Sequence, residues 1–112
     1  MREYLYLGVA IVSEIAGTAS LKLADGFSNP VPTAVVVVGY LCSFYFLSLT
    51  LQELPVGLVY ATWSAVGIVG AAAVGVVVFE ESVDPAALVG FGLILAGVAV
   101  LNLLSETYSP AA

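Results

Sequence analysis

Four apolar runs stand between the charge-bearing connections of this chain: Tyr4 to Leu21, Val31 to Leu51, Val56 to Phe79 and Ala86 to Leu104. At about 1.5 Å of rise per residue, each is long enough as a helix to cross a hydrocarbon core roughly 30 Å thick. In lipid a backbone must satisfy its own hydrogen bonds, and an isolated run of this length does so as a helix. The connections LKLADGFSNP, QELP and EESVDP are short and each ends in a proline, which has no amide donor to waste and suits a helix start. Short connections force an up-down-up-down antiparallel order. The predicted fold is therefore all-α and integral to the membrane, with four transmembrane helices in a single domain over residues 1–112.

Composition narrows the function classes. The chain is 62% hydrophobic and only 9% charged, well outside globular usage. Arg2 and Lys22 are its only basic residues against eight acids, which excludes a nucleic-acid footprint and a polybasic lipid-binding patch. There is no His and a single Cys, Cys42, so neither an internal disulfide nor a Cys/His metal cluster can form within one chain. Cys42 reads as a small packing residue. The first run is too long for a signal-peptide core and carries an acid, so it is read as a retained span. The net charge of −6 sits on loops and ends. Such a surface fits a salt-rich medium that screens its self-repulsion, although ordinary loop variation produces it too.

Four spans put both termini and the second loop on one side of the membrane. Arg2 then lies on one side and Lys22 on the other, so the basic residues that usually set orientation balance one against one. Insertion in both orientations, with pairing to an inverted copy, is compatible with that balance; so is the noise of a chain with few charges.

Glu14 stands near the middle of the first run. A charge there is costly, and intramembrane acids are functional candidates by default. Apolar surroundings disfavour the ionised carboxylate, which leads us to expect that Glu14 holds a proton near neutral pH. An arriving cation would displace that proton, and a proton would expel the cation. This mutual exclusion at one group is the minimum requirement for proton/cation exchange. The simpler alternative is a protonated Glu that bridges helices by a hydrogen bond. At about 100° per residue, Leu7, Ala10, Ile11, Gly17, Thr18 and Leu21 fall within roughly 60° of Glu14. Small residues on that face admit a close helix or ligand.

Aromatic residues are the second ingredient. Tyr4, Tyr6, Tyr40, Phe44, Tyr45, Phe46, Tyr60 and Trp63 supply ring faces to the first three runs, and such faces can hold a desolvated organic cation. Near span ends Tyr and Trp also form interfacial belts, which accounts for Tyr4, Tyr6 and Tyr60 taken singly. Trp63 and Tyr40 lie deeper. With Glu14 they suggest a greasy anionic pocket selective for lipophilic cations. On the third run Gly67, Ala71 and Gly75 recur every four residues as a packing ridge. On the fourth, Gly90 and Gly97 stand seven apart, which suits self-association.

The order YLYLGVAIVSEIAGTASLKLADGF, then Tyr40 with CSFYFLSLTL, then LPVGLVYATWSAVGIV and GLILAGVAVLNLL resembles the small multidrug resistance family over essentially the whole chain, and within it the quaternary-cation exporter branch. The resemblance implies an antiparallel, dual-topology homodimer in a prokaryotic plasma membrane. It would export lipophilic, aromatic or quaternary ammonium cations in exchange for protons, with no cofactor beyond the proton gradient. By the same resemblance Glu14 is the shared proton and substrate site. Tyr60 and Trp63 are aromatic walls, with Tyr4 and Tyr40 beside them. Ala10, Gly17 and Thr18 line the carboxylate, and Ser43 and Ser64 face the site. Gly67 is the third-helix kink, and Gly90 and Gly97 form the dimerisation motif. Two departures stand out. Ala65 replaces a glycine common in the family, and alanine favours helix over glycine by roughly 1 kcal/mol. The loop Glu80-Glu81-Ser82-Val83-Asp84 also lacks the basic residue often found there.

Competing readings are a guanidinium, polyamine or other small-cation exporter paired with a second chain, a rotor-ring proteolipid, which also uses one intramembrane carboxylate, and a noncatalytic packing subunit. The acid on the first of four spans and the aromatic group weigh against the rotor.

Overall fold

The computed structural model describes residues 2–108. It contains α1 (Arg2–Ala24), α2 (Pro30–Thr50), α3 (Val56–Phe79) and α4 (Pro85–Leu103), with no strand among the described residues. All four are long and apolar enough to cross a membrane. The span limits read from the sequence fall close to these, but α1 continues at both ends through Arg2, Glu3 and Lys22, because a helix keeps its hydrogen-bond ladder past the last apolar residue.

Local chemistry sets the helix ends. Pro30 and Pro85 occupy the first turns of α2 and α4 as expected, whereas Pro55 is the extended cap residue just before α3, at φ −61° and ψ 143°. Asp84 caps α4, its carboxylate accepting from Ala87 N at 2.9 Å. α3 ends at Glu80 in the left-handed conformation, with Glu81 N donating to Gly75 O at 3.0 Å. The missing side chain of Gly75 leaves room for the Glu81 carboxylate folded over it. Between α1 and α2, Asp25, Gly26 and Phe27 all take positive φ, at 49°, 66° and 67°. Asn29 ties that turn down: its side-chain amide donates to Leu23 O at 2.8 Å and its backbone N–H to Ala24 O at 3.1 Å.

The chain divides into two compact units, residues 1–52 and 53–112. In the first, α1 packs along α2. Thr50 reaches Glu3 O, Ser13 reaches Cys42 and Gly39 abuts Ser13, so the partner number falls as the other rises and the pair is antiparallel. In the second unit α3 packs on α4 with the same sense: Thr62 meets Asn102 and Gly57 meets Tyr108. Large apolar side chains stand exposed along the spans, Val77 at 79% and Leu93 at 69% among them, as hydrocarbon-facing positions do.

Candidate functional site

The face of α1 that carries Glu14 is the face the fold buries. Leu7, Ala10, Ile11 and Gly17 are buried, all within the arc expected from helical periodicity, while Leu21, in the last two turns, is exposed. Glu14 and Thr18 are half-buried on the same arc. They stand one turn apart, and Thr18 Oγ1 donates to Glu14 Oε1 at 2.7 Å. The Tyr40 hydroxyl, from α2, lies 2.8 Å from the same Thr18 oxygen. A threonine hydroxyl has one proton. With that proton directed at Glu14, Tyr40 donates to Thr18, giving a directed chain from Tyr40 through Thr18 to the carboxylate.

Glycines make this geometry possible. A Cβ on Gly17 would stand 3.3 Å from Tyr40 Cδ1 and Cε1, so the ring rests on the bare α1 backbone. A Cβ on Gly39 would come within 2.8 Å of Ser13 O, a backbone atom that cannot swing away. Beside this seam Ser13 Oγ donates to Cys42 Sγ at 3.3 Å, so Cys42 combines packing with a weak polar contact. Ser13, Gly39 and Cys42 adjoin the Glu14 cluster, and the reading from sequence did not select them for the site. Their signal was present as small residues four apart on facing helices, Ser13 with Gly17 and Gly39 with Ser43. An open apolar groove of about 660 Å³ flanks the same seam, lined by Val12, Ala16, Val31, Val35 and Val38 with Ser13 and Cys42. Neither Glu14 nor Tyr40 lines it.

The remaining expected residues are placed as follows. Ser43, one turn beyond Tyr40 on α2, is fully buried, and its hydroxyl has no hydrogen-bond partner. Tyr4 is ten residues before Glu14, about 15 Å along the α1 axis, and so is not an immediate neighbour of the carboxylate. Tyr4 is half-buried. In the second unit Tyr60 is 73% exposed, and Trp63 and Ser64 are half-buried. Ala65 and Gly67 are buried, and the helix runs unbroken through both. Gly90 is half-buried and Gly97 exposed, and a Cβ at either would meet nothing within 4 Å. α4 buries no residue, leaving its glycine face open.

Fold and site together define a four-span α-helical membrane protein with a single acid deep in a span, held by a hydroxyl chain. The Small Multidrug Resistance protein family model matches residues 2–94. The chain belongs to that family, and with four spans it is a multi-pass protein of a prokaryotic plasma membrane. It is similar to a multidrug transporter of Pseudomonas aeruginosa, 50% identical over 106 residues covering 95% of this chain and 96% of the relative. It is also similar to the quaternary ammonium compound-resistance protein QacE of Escherichia coli, at 46% identity with the same coverage of both. The multidrug resistance protein EbrA of Bacillus subtilis is 48% identical over 99 residues, covering 88% of this chain and 94% of the relative.

Proposed function

We propose that this protein is a multidrug efflux transporter that exchanges protons for lipophilic, aromatic or quaternary ammonium cations at Glu14. Family membership and the relatives named for multidrug and quaternary ammonium resistance support the efflux class. The observation that carries the exchange chemistry is the hydroxyl chain onto Glu14 Oε1, with 2.8 and 2.7 Å contacts in sequence.

An ionised Glu14 accepts Thr18's hydrogen bond and presents its second oxygen to a cation. A protonated Glu14 carries no charge to attract one. Proton and cation therefore compete, and each arrival on one side of the membrane releases the other ligand. The bulky apolar cations implied by the relatives' names suit the ring faces of Tyr40, Tyr60 and Trp63. The unpartnered Ser43 hydroxyl is a spare polar contact beside Tyr40.

The acting unit in this reading is an antiparallel homodimer of oppositely inserted copies, each contributing one Glu14. The even split of Arg2 and Lys22 between the two sides and the open Gly90/Gly97 face of α4 support it. Because the copies are inverted, exchanging their conformations regenerates the same structure facing the other way.

The test is Glu14→Gln in proteoliposomes carrying a pH gradient. Glutamine keeps an oxygen for Thr18 but cannot ionise. Proton-driven uptake of a quaternary ammonium and pH-dependent binding should both be abolished, and wild-type transport by the variant would sink the mechanism. A panel that includes guanidinium and a polyamine separates the small-cation reading, which predicts flux of those ions and no inhibition by aromatic cations.

A further inference from the structure

The amide of Asn102 on α4 donates to Thr62 Oγ1 on α3 at 3.1 Å and to Val98 O, one turn back on its own helix, at 2.9 Å. Two donors engaged at once lock the amide in place. Asn102 is half-buried and α4 has no buried residue, so apolar interdigitation does little to define how it sits on α3. In lipid, moreover, hydrophobicity does not drive one helix against another, and a directed polar bond specifies the pairing.

The place where this bond lands on α3 matters. Counting about 100° per residue from Thr62, the buried Leu58, Val59 and Ala65 fall within about 60° on either side of it, while the buried Gly67 and Gly75 lie about 140° away. The half-buried Thr62 is thus flanked by the large buried side chains of α3. Trp63, Gly67, Tyr60 and Ser64 fall between about 100° and 200° away, on one contiguous sector turned from Asn102. Within that sector Tyr60 is largely exposed, Trp63 and Ser64 are half-buried and Gly67 is buried. Rotating α3 to break the Thr62 bond would swing all four by the same angle.

We propose that Asn102, acting through Thr62, is a positioning residue that fixes the rotation of α3 about its axis and hence the aim of Tyr60, Trp63 and Ser64. The effect expected is on the aromatic wall and not on the proton held at Glu14. The proposal rests on the reading of that sector as a substrate wall.

Trp63 is the sole tryptophan, so its emission reports its surroundings in the full-length chain in bilayers without any transport assay. Thr62→Val removes the acceptor with little change of shape, Asn102→Leu removes the donor, and Thr62→Ser keeps the hydroxyl as a conservative control. The proposal expects Thr62→Val and Asn102→Leu to shift Trp63 emission alike, the double variant to shift it no further, and Thr62→Ser to match wild type. Affinity for an aromatic quaternary ammonium, benzyltributylammonium, should fall roughly threefold, the scale of one interhelical hydrogen bond in a membrane. The pH midpoint of proton release should stay as in wild type. If Asn102→Leu does not fold, Thr62→Val alone carries the comparison with Thr62→Ser. Wild-type emission and affinity in Thr62→Val, effects that add in the double variant, or a moved proton-release midpoint would overturn the proposal. If wild type binds no ammonium but the emission pattern holds, the positioning role stands and the cation-export reading falls.

Discussion

The Tyr40 hydroxyl and Thr18 Oγ1 stand 2.8 Å apart, and through Thr18 a residue of α2 acts on a carboxylate of α1 that it does not itself touch. Thr18→Val removes the donor to Glu14, whereas Tyr40→Phe removes only the support behind that donor. Hydrogen bonds to charged groups are worth about 1.5–3 kcal/mol and neutral ones about 0.5–1.5 kcal/mol. Quaternary ammonium affinity at neutral pH should therefore fall about tenfold in Thr18→Val and about threefold in Tyr40→Phe. Titration calorimetry at neutral pH checks the order.

Gly39→Ala tests the seam under the site. The new methyl would sit 2.8 Å from Ser13 O, and a backbone atom cannot step aside as a side-chain tip can. α1 and α2 must separate, at a cost of about 1–3 kcal/mol typical of overpacking. Alanine's helix advantage over glycine, roughly 1 kcal/mol, offsets only part of this. The variant should unfold at lower denaturant concentration than wild type and bind cations more weakly, since separation also draws Tyr40 from Thr18.

Gly57→Ala should behave differently. Its added methyl would meet Tyr108 Cε1 at 3.2 Å, but that atom belongs to an exposed ring after the end of α4. The ring can move by a few tenths of an ångström, and the helix preference for alanine, about 1 kcal/mol, then decides the sign. Stability should be unchanged or slightly higher, with the Tyr108 ring resonances displaced in the NMR spectrum.

Asp84→Ala removes the cap at the start of α4. The lost bond to Ala87 N leaves an orphan donor in the first turn, for which caps of this kind are worth about 1 kcal/mol. Amides of Ala86 to Leu88 should exchange hydrogen faster, while cation affinity stays unchanged because Asp84 lies outside the spans that carry Glu14, Tyr40, Tyr60 and Trp63.

Much of the architecture was legible along the chain because its rules are local. Four long apolar runs can cross a bilayer only by closing their own hydrogen bonds, which fixes helix number and approximate limits. Pro30 and Pro85 mark starts by their own chemistry. The buried arc of α1 followed from helical periodicity around Glu14, and the type and spacing of the residues around it carried the family resemblance.

Other features depend on which atoms of distant residues approach one another. Periodicity put Thr18 beside Glu14 but could not show that Tyr40, 22 residues further on, completes the chain. Gly39 looked like any small residue until the backbone of Ser13 was found against it. Asn102 is a polar residue in an apolar helix, and nothing along the chain tells that its amide lands on Thr62. Sequence alone determined the spans, the intramembrane carboxylate and its small-residue face, because hydropathy and 3.6-residue repetition act over a few turns. Only the tertiary structure decided which hydroxyl serves the carboxylate and which amide holds α3, because a hydrogen bond depends on ångström-level contact between side chains far apart in the chain.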